Sequence, residues 1–188
     1  LPADWQRSAA FRDLADHLTF HATGNAARSQ CTLACKWTWQ AAGAAGWSGD
    51  FFSAVGLEDL PARAGLPDRA MPVGAAVGRL SPAAAAELGL PRDCIVSAGL
   101  IDAYAGALGV LGAHGDDRAG RHLALVAGTS SCIMAISDAP RPVPGGWGPY
   151  YGAALPDRWI VEAGQSATGA LLDHVIRIHG GGLPANLR

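Results

Sequence analysis

The sequence predicts an α/β fold, and three observations predict it. Short β-like apolar runs, among them CIVSAGLI (Cys94 to Ile101) and RWIVEAG (Arg158 to Gly164), alternate with segments whose apolar residues recur at helical spacing. The chain has 188 residues and is 49% hydrophobic, enough to bury a sizeable core. Its 25 glycines and 12 prolines are spread along the sequence and punctuate the apolar runs, so they read as turns and not as low complexity.

Taken in order, FRDLADHL sets Phe11, Leu14, Ala15 and Leu18 at i, i+3, i+4 and i+7, the apolar stripe of a short helix. HATGNAARSQ follows as a loop, and CTLACKWTW (Cys31 to Trp39) reads as a buried strand before the glycine-rich AAGAAGWSGD. FFSAVGL (Phe51 to Leu57) is a short helix ended by Gly56, and MPVGAAVGRLSP is turn and strand material. Ser81 caps the next helix, with Pro82 at its first position, Glu87 within it and Gly89 at its end. CIVSAGLI is then a strand and Ala103 to Leu111 a helix.

HGDDRAGR, the most polar segment, reads as a boundary between domains, dividing the chain into 1–114 and 115–188. Beyond it HLALVAGTSSCIMAIS gives two strands folded about Gly128, Thr129 and Ser130 as a tight hairpin. The proline-rich RPVPGGWGPYYG is a loop, RWIVEAG a strand, and QSATGALLDHVIRIHG a helix with Ala167, Ala170, Leu171, His174, Val175 and Ile178 largely on one side. There is no internal repeat.

A formal net charge of -2 leaves no electrostatic footprint for nucleic acid or an anionic membrane, so small-molecule partners are the default. No apolar run approaches the roughly 18 to 20 residues that span a bilayer, and no signal peptide is visible. Cys31, Cys35, Cys94 and Cys132 form no CxxC pair and read as reduced core thiols of a cytoplasmic protein. The histidines are too scattered to argue a metal site.

Several residues could carry chemistry, and each has a structural alternative. Asp102 stands alone among apolar and small residues where a strand gives way to a helix; it can cap the helix or face a crevice and act as a base. The GTSS turn can be only a turn, or it can offer backbone amides at Gly128 and Thr129 to a phosphate. Lys36, between a cysteine and a tryptophan, can snorkel to the surface or reach a ligand. Glu162 can be an exposed edge-strand residue or a ligand contact, and Gln165 to Thr168 can simply start a helix.

Taken together, RSQCTLACKWTW, GLIDAYAGALGVLG, LALVAGTSSCIMAIS, PVPGGWGPYYG and EAGQSATGALLDHVI resemble the FGGY carbohydrate kinases, in particular their ribulokinase-like branch acting on pentuloses. The resemblance runs in order from about Phe11 to His179. It implies the actin-like, ribonuclease-H-like ATPase fold, here as the end of a first, sugar-binding domain and the start of a second, ATP-binding one. It further implies ATP with Mg²⁺ and a sugar or polyol as substrates, with a homodimer as an option for the intact protein. By the match, Asp102 is the catalytic base, Lys36 and Glu162 reach the ketose together with Asp102, and Gly128, Thr129 and Ser130 meet the ATP phosphates.

The family's leading DxGT phosphate loop and its glycine-rich adenosine loop have no counterpart here, and GGGLP (Gly180 to Pro184) comes too early to be the latter and reads as coil. With no initial methionine and a glycine run near Arg188, the chain reads as an internal fragment whose activity alone is not expected. The competing expectation is a non-catalytic sugar-binding or scaffold remnant. An actin-like ATPase acting on no sugar fits less well, because CKWTW and PVPGGWGPYYG match the sugar kinases.

Overall fold

The structure, a computed structural model, describes residues 2–43 and 46–179; the GGGLP segment read as coil lies outside them. The first half is mostly helical: α1 (Pro2–Arg7), α2 (Leu14–Thr23), α3 (Gln30–Lys36), α4 (Gly49–Ala54) and α5 (Leu60–Arg63). A small antiparallel pair follows, β1 (Ala76–Arg79) with β2 (Ile95–Ser97), joined through α6 (Pro82–Leu88). Then come α7 (Asp102–Gly112) and the short α8 (Asp116–Ala119). The second half is a four-stranded antiparallel sheet of β3 (Leu123–Ala127), β4 (Ser131–Ser137), β5 (Trp147–Tyr151) and β6 (Trp159–Gln165), ordered β3-β4-β6-β5 and followed by α9 (Gly169–Ile178). The mixed α/β class is as the sequence predicts.

The α6 helix forms as its punctuation dictates. The Ser81 side chain accepts a hydrogen bond from the Ala84 amide, Pro82 opens the helix, and Gly89 closes it in the left-handed region. The hairpin between β3 and β4 also forms as predicted, with the Gly128 amide donating to the Ser130 carbonyl at 2.8 Å.

Four expectations need correction. CTLACKWTW is not a strand: Gln30–Lys36 is helix, because Ser29 caps it by accepting from the Cys31 amide, and a fully buried apolar run carries no period to separate the two. The first predicted helix begins at Leu14 and turns its apolar stripe outward, leaving Leu14 and Leu18 at 69% and 59% exposure while Asp16 is buried at 2%. The strand over CIVSAGLI stops at Ser97, and 98–101 run on as irregular chain to α7. The proline-rich loop contains β5; Pro149, which has no amide hydrogen to give, sits in the register shift between Trp147 and Tyr150.

Register decides which side chains share the inner face of the large sheet. Met134 lies opposite Ala124 and Glu162, Ile136 opposite Ile160, and Cys132 opposite Val126 and Gly164. Against this face packs α7, whose Tyr104, Ala107 and Leu111 (i, i+3, i+7) are all buried. Gly106 lets α7 approach closely, since a Cβ there would lie 3.2 Å from the Val126 side chain. The resulting core adds Cys31 of α3 and Ala153 and Ala154 after β5, so it draws on residues from both sides of position 114.

Candidate active site

Lys36 is placed by a buried anchor far from it in sequence. The Asp16 carboxylate accepts from the Ser29 amide at 2.7 Å and from the Thr32 hydroxyl at 2.6 Å, which fixes the first turn of α3. Burial pushes the Asp16 carboxyl above its usual range, against the opposing pull of those two hydrogen bonds and of Arg28. The helix then runs through buried Leu33 and Ala34 and delivers Lys36 at its exposed last turn, where a cation suits the helix dipole. Thr38, with φ of 65°, turns the chain away immediately after.

Asp102 is the first residue of α7 and is exposed. The N-cap position belongs to Ile101, which makes no side-chain cap, so Asp102 is not the plain N-cap that local sequence allows. Its Oδ1 instead accepts from the Ala103 amide at 2.8 Å, and its charge sits at the positive end of the helix. Glu162 lies on the inner face of β6, half-buried, and its Oε2 accepts from the Tyr104 hydroxyl at 3.0 Å.

Cys132 reports how these groups meet. Burial raises its thiol above the ordinary range; a hydrogen bond to Glu162, the charge of Glu162 and that of Asp102 raise it further, and Lys36 pulls it down. One thiol thus lies within electrostatic reach of all three residues singled out from the sequence. Lys36 and Glu162 line a single cavity of about 350 Å³ together with Cys35, Ser130, Ser131, Cys132, Trp147, Tyr150, Gly164, Gln165 and Ser166. Asp102, Gly128 and Thr129 are outside its lining. Gly164 makes room for the Trp147 ring, since a Cβ there would lie 2.9 Å from it.

The GTSS turn and the start of α9 are tied together at the rim. The Thr168 amide donates to the Thr129 carbonyl at 3.1 Å, and the Ser131 and Thr168 hydroxyls are hydrogen-bonded. The Gly128 amide is engaged inside the turn, so Gly128 shapes the hairpin and does not present its N–H outward. Gln165 and Ser166, read from sequence as a possible helix start, are cavity wall.

Sequence reasoning missed Tyr104 and Cys132. A signal existed for Tyr104: with Ala107 and Leu111 it forms the buried stripe of α7, and a buried phenol needs a partner for its hydroxyl. Among the described residues, no group of three His, Cys, Asp or Glu side chains could hold a metal ion, and no helix is long and apolar enough to cross a membrane.

Residues 123–187 match the model of the FGGY family of carbohydrate kinases, C-terminal domain. Over 93% of its length the chain is 52% identical to an FGGY carbohydrate kinase domain-containing protein of Danio rerio. Over nearly its whole length the chain is similar to the FGGY carbohydrate kinases. It is also 37% identical, over 90% of its length, to a D-ribulokinase of Saccharomyces cerevisiae. It spans about a third of these curated relatives, 34% and 28% of their lengths. A crystal structure of xylulose kinase from Rhodospirillum rubrum superposes with a TM-score of 0.70 at 23% identity, covering 99% of this chain and 36% of that one; this likeness carries the actin-like sugar-kinase fold.

Proposed function

We propose that this chain is part of a cytoplasmic pentulose kinase, which moves the γ-phosphoryl group of ATP to a hydroxyl of a ketopentose such as ribulose. The observation that carries the reading is that Lys36 and Glu162 line one cavity, while Glu162 is hydrogen-bonded to Tyr104 of the helix that begins at Asp102. The D-ribulokinase and xylulose kinase among its relatives support the acceptor class. The free state of all four cysteines supports a reducing compartment.

In this reading the ketose sits in the cavity, where the Lys36 ammonium and the Glu162 carboxylate hold its hydroxyls by charge-assisted hydrogen bonds. Their opposite charges make the pair tolerable in a partly desolvated pocket. Asp102 takes the proton of the attacking hydroxyl as its oxygen bonds to the γ-phosphorus. The bond from that phosphorus to the β-phosphate bridging oxygen breaks, and ADP leaves with the electron pair. The Thr129 and Ser130 end of the hairpin borders the phosphates, with Gly128 keeping the turn tight.

Mg²⁺ bound with ATP would take most of its ligands from phosphate and water, so the site needs no cluster of acidic side chains, and none is present among the described residues. When bound with ATP the ion neutralises developing phosphate charge.

The test is a panel of pentuloses, D- and L-ribulose and D- and L-xylulose, offered with ATP to the full-length protein while ADP and phosphosugar are measured. One pentulose is expected to give stoichiometric ADP and pentulose phosphate. Binding of a pentulose with no ADP release would make the protein a sugar-binding remnant, and phosphorylation confined to non-ketose acceptors would overturn the substrate class.

A further inference from the structure

We infer that Tyr104 is the positioning residue that fixes Glu162 for the acceptor sugar and sets its spacing from Asp102. The inference rests on the pentulose-kinase reading. Tyr104 is 1% exposed, and its hydroxyl donates to Glu162 Oε2 at 3.0 Å across the contact between α7 and the inner face of the sheet. Burial first, then the neighbouring Cys35 and Glu162, hold the phenol far above its ordinary range, so it remains a donor throughout the working range.

Geometry gives this bond its consequence. Tyr104 stands two residues after Asp102 on the same helix, while Glu162 belongs to β6, 58 residues further along the chain. One hydrogen bond therefore links the helix that carries the base to the strand that carries the sugar-holding carboxylate. A carboxylate has about four lone-pair sites. Tyr104 occupies one on Oε2, and Glu162 lines the cavity, so room remains for hydroxyls there. Without the phenol, Glu162 is free to rotate, and the sugar hydroxyl it holds loses its fixed distance from Asp102.

The substitution Tyr104→Phe removes only the hydroxyl and keeps the ring in the α7 stripe. In the full-length protein it is expected to raise KM for the pentulose about tenfold, the effect of losing one hydrogen bond to a charged group. KM for ATP should move less than about twofold, because only interactions with the acceptor are weakened. In a Glu162→Ala background the same substitution should leave KM for the pentulose unchanged, since the group through which Tyr104 acts is gone. An unaltered KM in the single variant, or an equal rise in both backgrounds, would overturn the inference while the kinase reading stands. A Tyr104→Phe protein that loses its folded far-UV spectrum would show the bond to be structural and overturn it too. A wild-type protein inactive on every pentulose would overturn the kinase reading and, with it, this role.

Discussion

Asp16 and Lys36 are 20 positions apart, yet the second depends on the first. Asp16 holds the Ser29 amide and the Thr32 hydroxyl, and those two bonds set the origin of the helix that ends at Lys36. The carboxyl is buried, and burial raises its pKa above 3.8, so folding favours its protonated form. The sign of the linkage follows: the native state binds more protons than the unfolded one between 3.8 and the raised value, and stability falls as pH rises through that window. Below 3.8 both states are protonated and nothing is lost; above the raised value both are ionised and the loss is complete. Urea unfolding of wild type and Asp16→Asn from about pH 3 to about pH 7 isolates this group from the other carboxylates. The stability difference should move against the wild type as pH rises; a flat difference, or one moving in its favour, would contradict the burial of an ionisable Asp16. No sequence pattern announced this network, because an Asp on a surface-like helix looks solvated until the partner amide, 13 residues away, is known.

At the scale of elements, legibility follows from where the signal is written. Ser81, Pro82 and Gly89 each act within one helix, through a cap bond, a fixed φ and a left-handed turn, so α6 is readable letter by letter. Ser81→Ala is expected to cost about 1 kcal/mol in thermal or urea unfolding, the ordinary value of a lost serine cap; no change would mean that α6 is held by packing alone. The α3 segment is the contrary case. Its Cys31, Thr32, Leu33 and Ala34 are buried on all sides, so neither a 2-residue nor a 3.6-residue period survives. Only Ser29 distinguishes the two, and it marks a helix when its side chain is seen accepting from Cys31. The β5 strand is hidden by Gly146, Gly148 and Pro149, residues that speak for a turn. The bulge between Trp147 and Tyr150 absorbs them, and pairing with β6 resumes at Tyr150. For Asp102 the sequence correctly placed the start of a helix but not the end of a strand: β2 ends at Ser97, irregular chain covers 98–101, and the cap position falls to Ile101.

At the scale of the whole molecule, the four-stranded sheet has one covered face and one open one. Inside, Ala124, Met134, Ile136 and Ile160 are buried under α7; outside, Leu123, Leu125 and Ile133 of the same strands are exposed. The α9 helix is exposed along its length, with Leu172 at 61% and Ile178 at 67%, although its apolar residues recur on one side as the sequence indicates. On the covered face Glu162 of β6 accepts from Tyr104 of the helix that begins at Asp102, and Glu162 shares a cavity with Lys36 from the end of α3. That arrangement was half legible: the three residues were readable as motif positions, whereas the shared cavity of Glu162 with Cys132 depends on the antiparallel register that sets Cys132 opposite Gly164 and Met134 opposite Glu162. The central claim is that this arrangement is a phosphoryl-acceptor site with Asp102 as its base, and Asp102→Asn tests it most directly. Asparagine preserves the acceptor that Ala103 uses and cannot take a proton from a hydroxyl. In the full-length protein, with the preferred pentulose and saturating ATP, the substitution should lower kcat by roughly 10² to 10⁴ and leave KM for the sugar within about threefold. A kcat within about threefold of wild type would contradict the account and place the base elsewhere.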